Sequence, residues 1–244
     1  QAIAISQGEK LRSLIVIAYQ KEKGIKAYFS RRGIIYGGPL TDPEFPDSLD
    51  LLLKEVSEKT AGKCIYLETR NFSDYSSYSK IFQKYRWNYL PYVNFNISIP
   101  DKSYMLSRIS NSRMRQIKKA IRSGVTWKEA TNNGEVKEFY DMLNKLYKTR
   151  IKKPLLPWEF FRKLYEMELG KYLLVIFQGR IIGGIMCPIL KNRAIYEFYI
   201  CGLDAEFKEQ YPSVMATWAA LEYAFQNSIP FFDFMGAGLK DNKY

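Results

Sequence analysis

Glu197 lies in the run Tyr196-Glu197-Phe198-Tyr199 and is the sole carboxylate of a strand-like segment over 194–201. A carboxylate so placed can take the proton that an attacking amine must lose, or it can pair with a neighbouring Lys or Arg. Alternation along a strand puts Glu197 and Tyr199 on one face, which makes Tyr199 a candidate donor to an oxyanion. Asp233 sits in the apolar run Phe231-Phe232-Asp233-Phe234, close to Gly236 and Gly238. An acid there needs a specific partner to stay charged. It is a candidate to orient Lys240 or a substrate amine, or to receive backbone amides after the strand. Tyr211-Pro212-Ser213 opens a helix whose free amides can receive an acyl carbonyl or a phosphate, and Ser213 also reads as a plain N-cap.

Three further groups have the chemistry of binding. Tyr36-Gly37-Gly38-Pro39 ends a strand with residues that permit a tight turn and close backbone approach. Arg70-Asn71 ends the next strand and can clamp a phosphate or carboxylate, or join a surface ion pair. Arg113, Arg115, Lys118, Lys119 and Arg122 form the densest basic cluster, suited to a polyanion or simply to a solvated helix face. The chain has no His, which removes Ser-His and Cys-His nucleophilic chemistry. Cys64, Cys187 and Cys201 lack metal-ligand spacing and read as buried thiols, so no metal is expected.

The elements that must position these residues follow from hydrophobic periodicity. The 244 residues are 47% hydrophobic and 16% aromatic, enough to fill a core, and the formal charge of +12 favours anionic partners. No apolar run reaches the length of a membrane span and Gln1 opens no signal peptide, so a cytoplasmic location is expected. Residues 102–123 make a basic amphipathic helix, capped by Ser103 and ended by Gly124. Then come a strand (125–130), a helix (134–150), a helix from Pro157 to near Gly170, a meander (172–178, 181–190, 194–201), a helix (213–227) and a strand (231–234). The first hundred residues read as strands over 2–6, 11–20 and 26–36, a helix to about Lys59, a strand over 63–69, a helix over 75–85 and an extended segment over 87–99. Placing Gln7-Gly8 on Gln178-Gly179 aligns the two meanders, an internal repeat of about 170 residues.

The second half has the element order of a GNAT-type acyltransferase up to its fifth strand. The runs IIYGGPL, CIYLETRNFSD, YLPYVNFNISIP and SRMRQIKKAIRSGV, followed by YEFYICGLDAEFKEQYPSVMATWAALEYAFQNSIPFFDFMGAG, resemble Fem-type peptidoglycan interpeptide-bridge aminoacyltransferases. That family includes uncharacterised, methicillin-resistance-like bacterial relatives. The resemblance implies an α/β (α+β) fold of two tandem GNAT-like units, with mixed central sheets flanked by helices and both units truncated at the chain ends. The expected division is 1–101 for the end of the first unit, 102–124 for a basic junction helix and 125–244 for the start of the second. The resemblance also implies metal-free, cofactor-free transfer of an aminoacyl group from aminoacyl-tRNA to an amine of a nucleotide- or lipid-linked peptidoglycan precursor, with peripheral contact to the inner membrane surface. The expected catalytic residues are Glu197, Tyr199 and Asp233. Tyr36, Gly37, Gly38, Arg70, Asn71, Arg115, Lys118, Lys119, Tyr211, Ser213, Gly236 and Lys240 are the expected binding residues. An acyl-CoA-dependent N-acetyltransferase of a surface sugar is the alternative, although 204–211 carries no glycine-rich diphosphate loop. A non-catalytic nucleic-acid-binding module is the second alternative.

Overall fold

The computed structural model describes every residue except 23, 72, 237 and 240–244, so the candidate Lys240 lies outside the described residues. Two compact units divide the chain, Gln1–Leu90 and Pro91–Tyr244.

The first unit runs β1 (Ala2–Gln7), β2 (Lys10–Val16), β3 (Ala18–Gln20), α1 (Lys26–Phe29), β4 (Arg32–Gly37), β5 (Leu40–Thr41), α2 (Asp47–Thr60), β6 (Tyr66–Asn71), a 3-10 turn (Ser76–Tyr78) and α3 (Ser79–Lys84). Its strands form two sheets, β1-β2-β5 and β3-β4-β6, with β4 and β6 parallel. The single strand expected over 11–20 is divided between them: Ile17 still exchanges hydrogen bonds with Gln1 in the first ladder, at 2.8 and 2.9 Å, and the residues after it, Ala18–Gln20, pair instead with β4. The strand expected over 26–36 starts only at Arg32. Gly24, at φ +67°, turns the chain, and its carbonyl accepts the Ala27 amide at 3.0 Å, winding the first residues into α1. In α2, Leu49, Leu52, Leu53 and Val56 recur at helical spacing and are buried. Leu52 and Val56 share a core with Ile3, Ile15, Ile17 and Ile35 of the strands.

The second unit runs β7 (Tyr92–Val93), β8 (Asn96–Ser98), α4 (Lys102–Ser107), α5 (Asn111–Arg122), β9 (Thr126–Glu129), α6 (Asn133–Leu146) with a π turn (Tyr147–Ile151), α7 (Trp158–Glu166), β10 (Gly170–Phe177), β11 (Arg180–Leu190), β12 (Ala194–Tyr196), β13 (Tyr199–Gly202), α8 (Pro212–Gln226), β14 (Phe231–Asp233) and β15 (Gly238–Leu239). Its main sheet has the order β8-β14-β12-β11-β10-β9, with β13 continuing against β11; only β12 and β14 are parallel. One face of this sheet packs on α5 and α8, the other on α6 and α7. Helix α8 is apolar nearly all round, as a helix held inside a core must be.

Two boundaries differ from expectation. Strand β8 pairs with β14, so the segment after Leu90 belongs to the second unit, and the division falls there rather than after Asp101. The helix expected over 102–123 is broken at 108–110, where the Ser110 hydroxyl accepts the Arg113 amide at 3.3 Å and starts a new helix. Both pieces bury residues in the second unit's core, Met105 from α4 and Ile117 and Ala120 from α5.

The repeat is visible in the register. The hairpins β1-β2 and β10-β11 each carry a shift two residues before the turn, at Ile5/Ser6 and at Val175/Ile176, an offset of 170. In each unit a helix then joins two parallel strands, α2 between β4 and β6 and α8 between β12 and β14, but the expected equivalence of the strands ending near Thr69 and Phe234 is only partial: β6 is the edge of its sheet, whereas β14 lies between β12 and β8.

Candidate active site

The third meander strand does not run through. Register Ile189↔Ile195 becomes Met186↔Tyr199, so Cys187 and Pro188 of β11 oppose three residues, Tyr196, Glu197 and Phe198. This is a β-bulge, and it falls beside a proline that has no amide to give a ladder. The Glu197 amide bonds the Asp233 carbonyl at 2.9 Å, and the Phe198 amide bonds the Met186 carbonyl at 3.2 Å. Beyond Tyr196↔Asp233 the parallel strands part. β13 keeps only β11 as a strand partner among the described residues, while the chain after β14 turns through Met235 and Gly236 at positive φ towards β15. Glu197 stands at the point of separation, beyond the carboxyl ends of two parallel strands, where α/β sheets commonly bind ligands.

The bulge also decides which way the side chains point. Glu197 lies on the α8 face, where its carboxylate accepts a hydrogen bond from the Thr217 hydroxyl at 3.2 Å. Burial pushes its carboxyl up to about 7, while the Thr217 hydrogen bond pulls the other way. Tyr199 is on the opposite face, packed with Tyr147, Phe161 and Phe198 in the α6-α7 core. The shared face expected from simple alternation is therefore corrected, because the extra residue inverts the pattern. Cys187 and Cys201 are buried thiols held neutral by desolvation, whereas Cys64 is only partly buried.

Asp233 makes a structural knot. Its carboxylate accepts from the Asn94 side-chain amide at 2.9 and 3.0 Å and from the Met235 backbone amide at 2.7 Å. The Asn94 side-chain oxygen in turn accepts the Gly236 amide at 2.8 Å. The backbone pairing left open by the sequence is thus present, and it closes the turn after β14.

At the start of α8, Asp204 fills the place that free amides would offer an anion. One carboxylate oxygen accepts the Ser213 amide at 3.1 Å and the other accepts the Ser213 hydroxyl. Gly202 lies so close that a Cβ there would stand 2.7 Å from the Ser213 nitrogen. Tyr211 adopts φ +49° as the N-cap, and the Lys119 ammonium lies 6.0 Å from its ring centroid while pairing with Glu209. Lys119, Tyr211 and Ser213 are thereby brought together. Arg115 and Lys118 are exposed on α5.

The first unit gathers its own candidates at the equivalent strand ends. Register places Tyr36 opposite Arg70 and Gly37 opposite Asn71. Arg70 pairs with Glu68 at 2.6 Å and stands 5.6 Å from the Tyr36 ring centroid. Gly38 has φ +84°, and a Cβ would meet the Asn71 side-chain oxygen at 2.6 Å, so glycine is required there.

Thr217, Asn94 and Asp204 were not singled out in the sequence. Thr217 had a signal, as a hydroxyl within the apolar run of α8. Asn94 and Asp204 had none, since their partners are fixed by loop paths.

The chain belongs to the acetyltransferase (GNAT) domain family, whose model matches residues 108–244, more than half of its length. The structure of FemX superimposes on it with a TM-score of 0.67 at 12% identity, covering 100% of this chain and 80% of FemX. L-PGS from Bacillus licheniformis gives 0.57 at 11% identity, covering 100% and 70%. The C-terminal domain of a putative lysylphosphatidylglycerol synthetase from Agrobacterium fabrum gives 0.57 at 9%, covering 94% and 69%. No curated protein shows significant sequence similarity. The Fem-type resemblance therefore holds at the level of the fold, which is that of a GNAT acyltransferase.

Proposed function

We propose that this chain transfers an aminoacyl group from aminoacyl-tRNA to an amine of a peptidoglycan precursor, with Glu197 as the proton acceptor. The observation that carries the reading is the placement of Glu197 at the parting of β12 and β14, its carboxyl raised to about 7 by burial. Near neutral pH such a group is divided between its two protonation states, as proton transfer in both directions requires. The amine nitrogen attacks the ester carbonyl carbon, Glu197 takes the proton released from nitrogen, and the C–O bond to the ribose breaks as Glu197 returns that proton to the leaving hydroxyl. Holding amine and ester together supplies much of the acceleration.

Aminoacyl-tRNA is favoured over acyl-CoA by the start of α8. Asp204 places a carboxylate on the Ser213 amide and hydroxyl, which repels a diphosphate and leaves it fewer free donors. The Fem-like fold and the neighbour described as a lysylphosphatidylglycerol synthetase agree with aminoacyl transfer. The exposed Arg115 and Lys118 offer cations to a phosphate backbone.

The test is to incubate the protein with nucleotide- and lipid-linked peptidoglycan precursors and a pool of charged tRNAs, and to read the products by mass spectrometry. The reading requires a precursor heavier by one amino-acid residue, amide-linked at an amine. Transfer from acyl-CoA alone would replace it with the N-acetyltransferase alternative.

A further inference from the structure

The loop between β3 and β4 presents an apolar tip in a basic setting. Ile25, Tyr28 and Phe29 are 89%, 67% and 75% exposed, all within one turn that contains α1. The Tyr28 and Phe29 rings meet edge to face at 5.2 Å, so they stand together. Large side chains scattered singly on a surface need no explanation, but three exposed within one turn mark a contact surface.

Charge identifies the partner. Lys21, Lys23, Lys26, Arg31 and Arg32 lie in the same segment, with Glu22 its one acid. Lys21 and Lys26 are exposed, and the Arg31 guanidinium stands 5.0 Å from the Tyr28 ring centroid. Arg31 donates one hydrogen bond to the Gly62 carbonyl at 3.2 Å, yet its Nε is buried with no hydrogen-bond partner. A cavity of about 380 Å³ opens beside it, lined by Lys21, Gly24, Ile25, Ala27, Tyr28 and Arg31. Apolar and aromatic groups at the tip with cations around them match the layering of an anionic bilayer surface, with phosphates outside and acyl chains beneath.

We propose that the 21–32 loop is a membrane-docking element: Ile25, Tyr28 and Phe29 enter the boundary between headgroups and acyl chains of an anionic bilayer, while Lys21, Lys26 and Arg31 engage lipid phosphates. No helix among the described residues is long and apolar enough to cross a membrane, so docking of this kind is peripheral. The inference is independent of the acyl donor.

Sedimentation of the full chain with phosphatidylcholine vesicles, with and without phosphatidylglycerol, tests it. The wild type should bind the anionic vesicles and release as salt rises. The triple variant Ile25→Ser/Tyr28→Ser/Phe29→Ser and the double variant Lys21→Gln/Lys26→Gln should each bind about tenfold more weakly or worse. Both replace exposed side chains, and an unchanged melting temperature confirms that they fold. A Phe29→Trp variant should shift its emission to the blue on anionic vesicles only. Three results would overturn the proposal: no vesicle binding by the wild type, undiminished binding by the triple variant (which would assign binding to overall charge), or a self-associating wild type that the triple variant turns into a monomer.

Discussion

Glu197 carries an energetic cost that depends on pH. Its folded-state value of about 7 lies above the ordinary 4.5, so between those values the folded protein holds a proton that the unfolded chain releases. The contribution of Glu197 to stability is therefore most favourable below about pH 4.5, falls as pH rises towards 7, and above 7 is a full cost on the order of 3 kcal/mol. Glu197→Gln should remove this slope, and urea unfolding of parent and variant at pH 5 and pH 8 measures it. Catalysis runs the other way. Turnover should rise with pH through an apparent pKa near 7, and Glu197→Gln should lose that limb and about 10² to 10⁴-fold in rate. Turnover within about threefold of the parent, with chemistry rate-limiting, would instead indicate that a substrate group accepts the proton. Asp233 acts on the fold. Asp233→Ala should cost about 0.5 to 1.5 kcal/mol in unfolding free energy, because it removes the acceptor of the part-buried Met235 amide and of the exposed Asn94 side chain, and Asp233→Asn should lower turnover less than Glu197→Gln.

At the scale of elements, the bulge in the third meander strand and the start of α8 decide the chemistry. Neither was legible as such in the sequence. The run 194–201 alternates like an ordinary strand, and only Pro188 on its neighbour hints that the ladder is interrupted. Helix positions were easier to read, because the apolar spacing of α2 and α6 and the apolar run of α8 are local, as is the cap of α6, where the Asn132 side chain accepts the Glu135 amide at 3.0 Å. Ser213 reads equally well as a cap or as a ligand donor until Asp204 is seen bound to it. Asp204→Ala should destabilise the protein by about 1 kcal/mol, as loss of a helix-end partner does, measured by denaturant unfolding. A larger stability than the parent's would contradict the reading of Asp204 as the satisfied partner of α8.

At the scale of the molecule, the two units repeat one plan with different chemistry at equivalent strand ends. The parallel pair of the first unit ends at Gly37 opposite Asn71, just past Tyr36 opposite Arg70, and that of the second ends at Tyr196 opposite Asp233, just before Glu197. The acid near neutrality is thus in the second unit, and the first offers a glycine turn with a guanidinium beside it. The repeat was legible in the sequence because hairpin and strand spacing survive in both halves, although matching the two Gln-Gly pairs sets the alignment one residue off, since the hairpin registers put Gly8 level with Gln178; the boundary after Leu90 was not, since it depends on β8 pairing with β14, which is distant in sequence. The surplus of positive charge also belongs to this scale. Arg115→Ala with Lys118→Ala should weaken binding of charged tRNA and flatten its salt dependence, whereas an unchanged salt slope would return α5 to a solvated face. The most direct measurement of the central claim is the ratio of kcat/KM for aminoacyl-tRNA to that for acyl-CoA, with the same amine acceptor. The account predicts transfer from aminoacyl-tRNA and none detectable from acyl-CoA; a ratio in favour of acyl-CoA would contradict it.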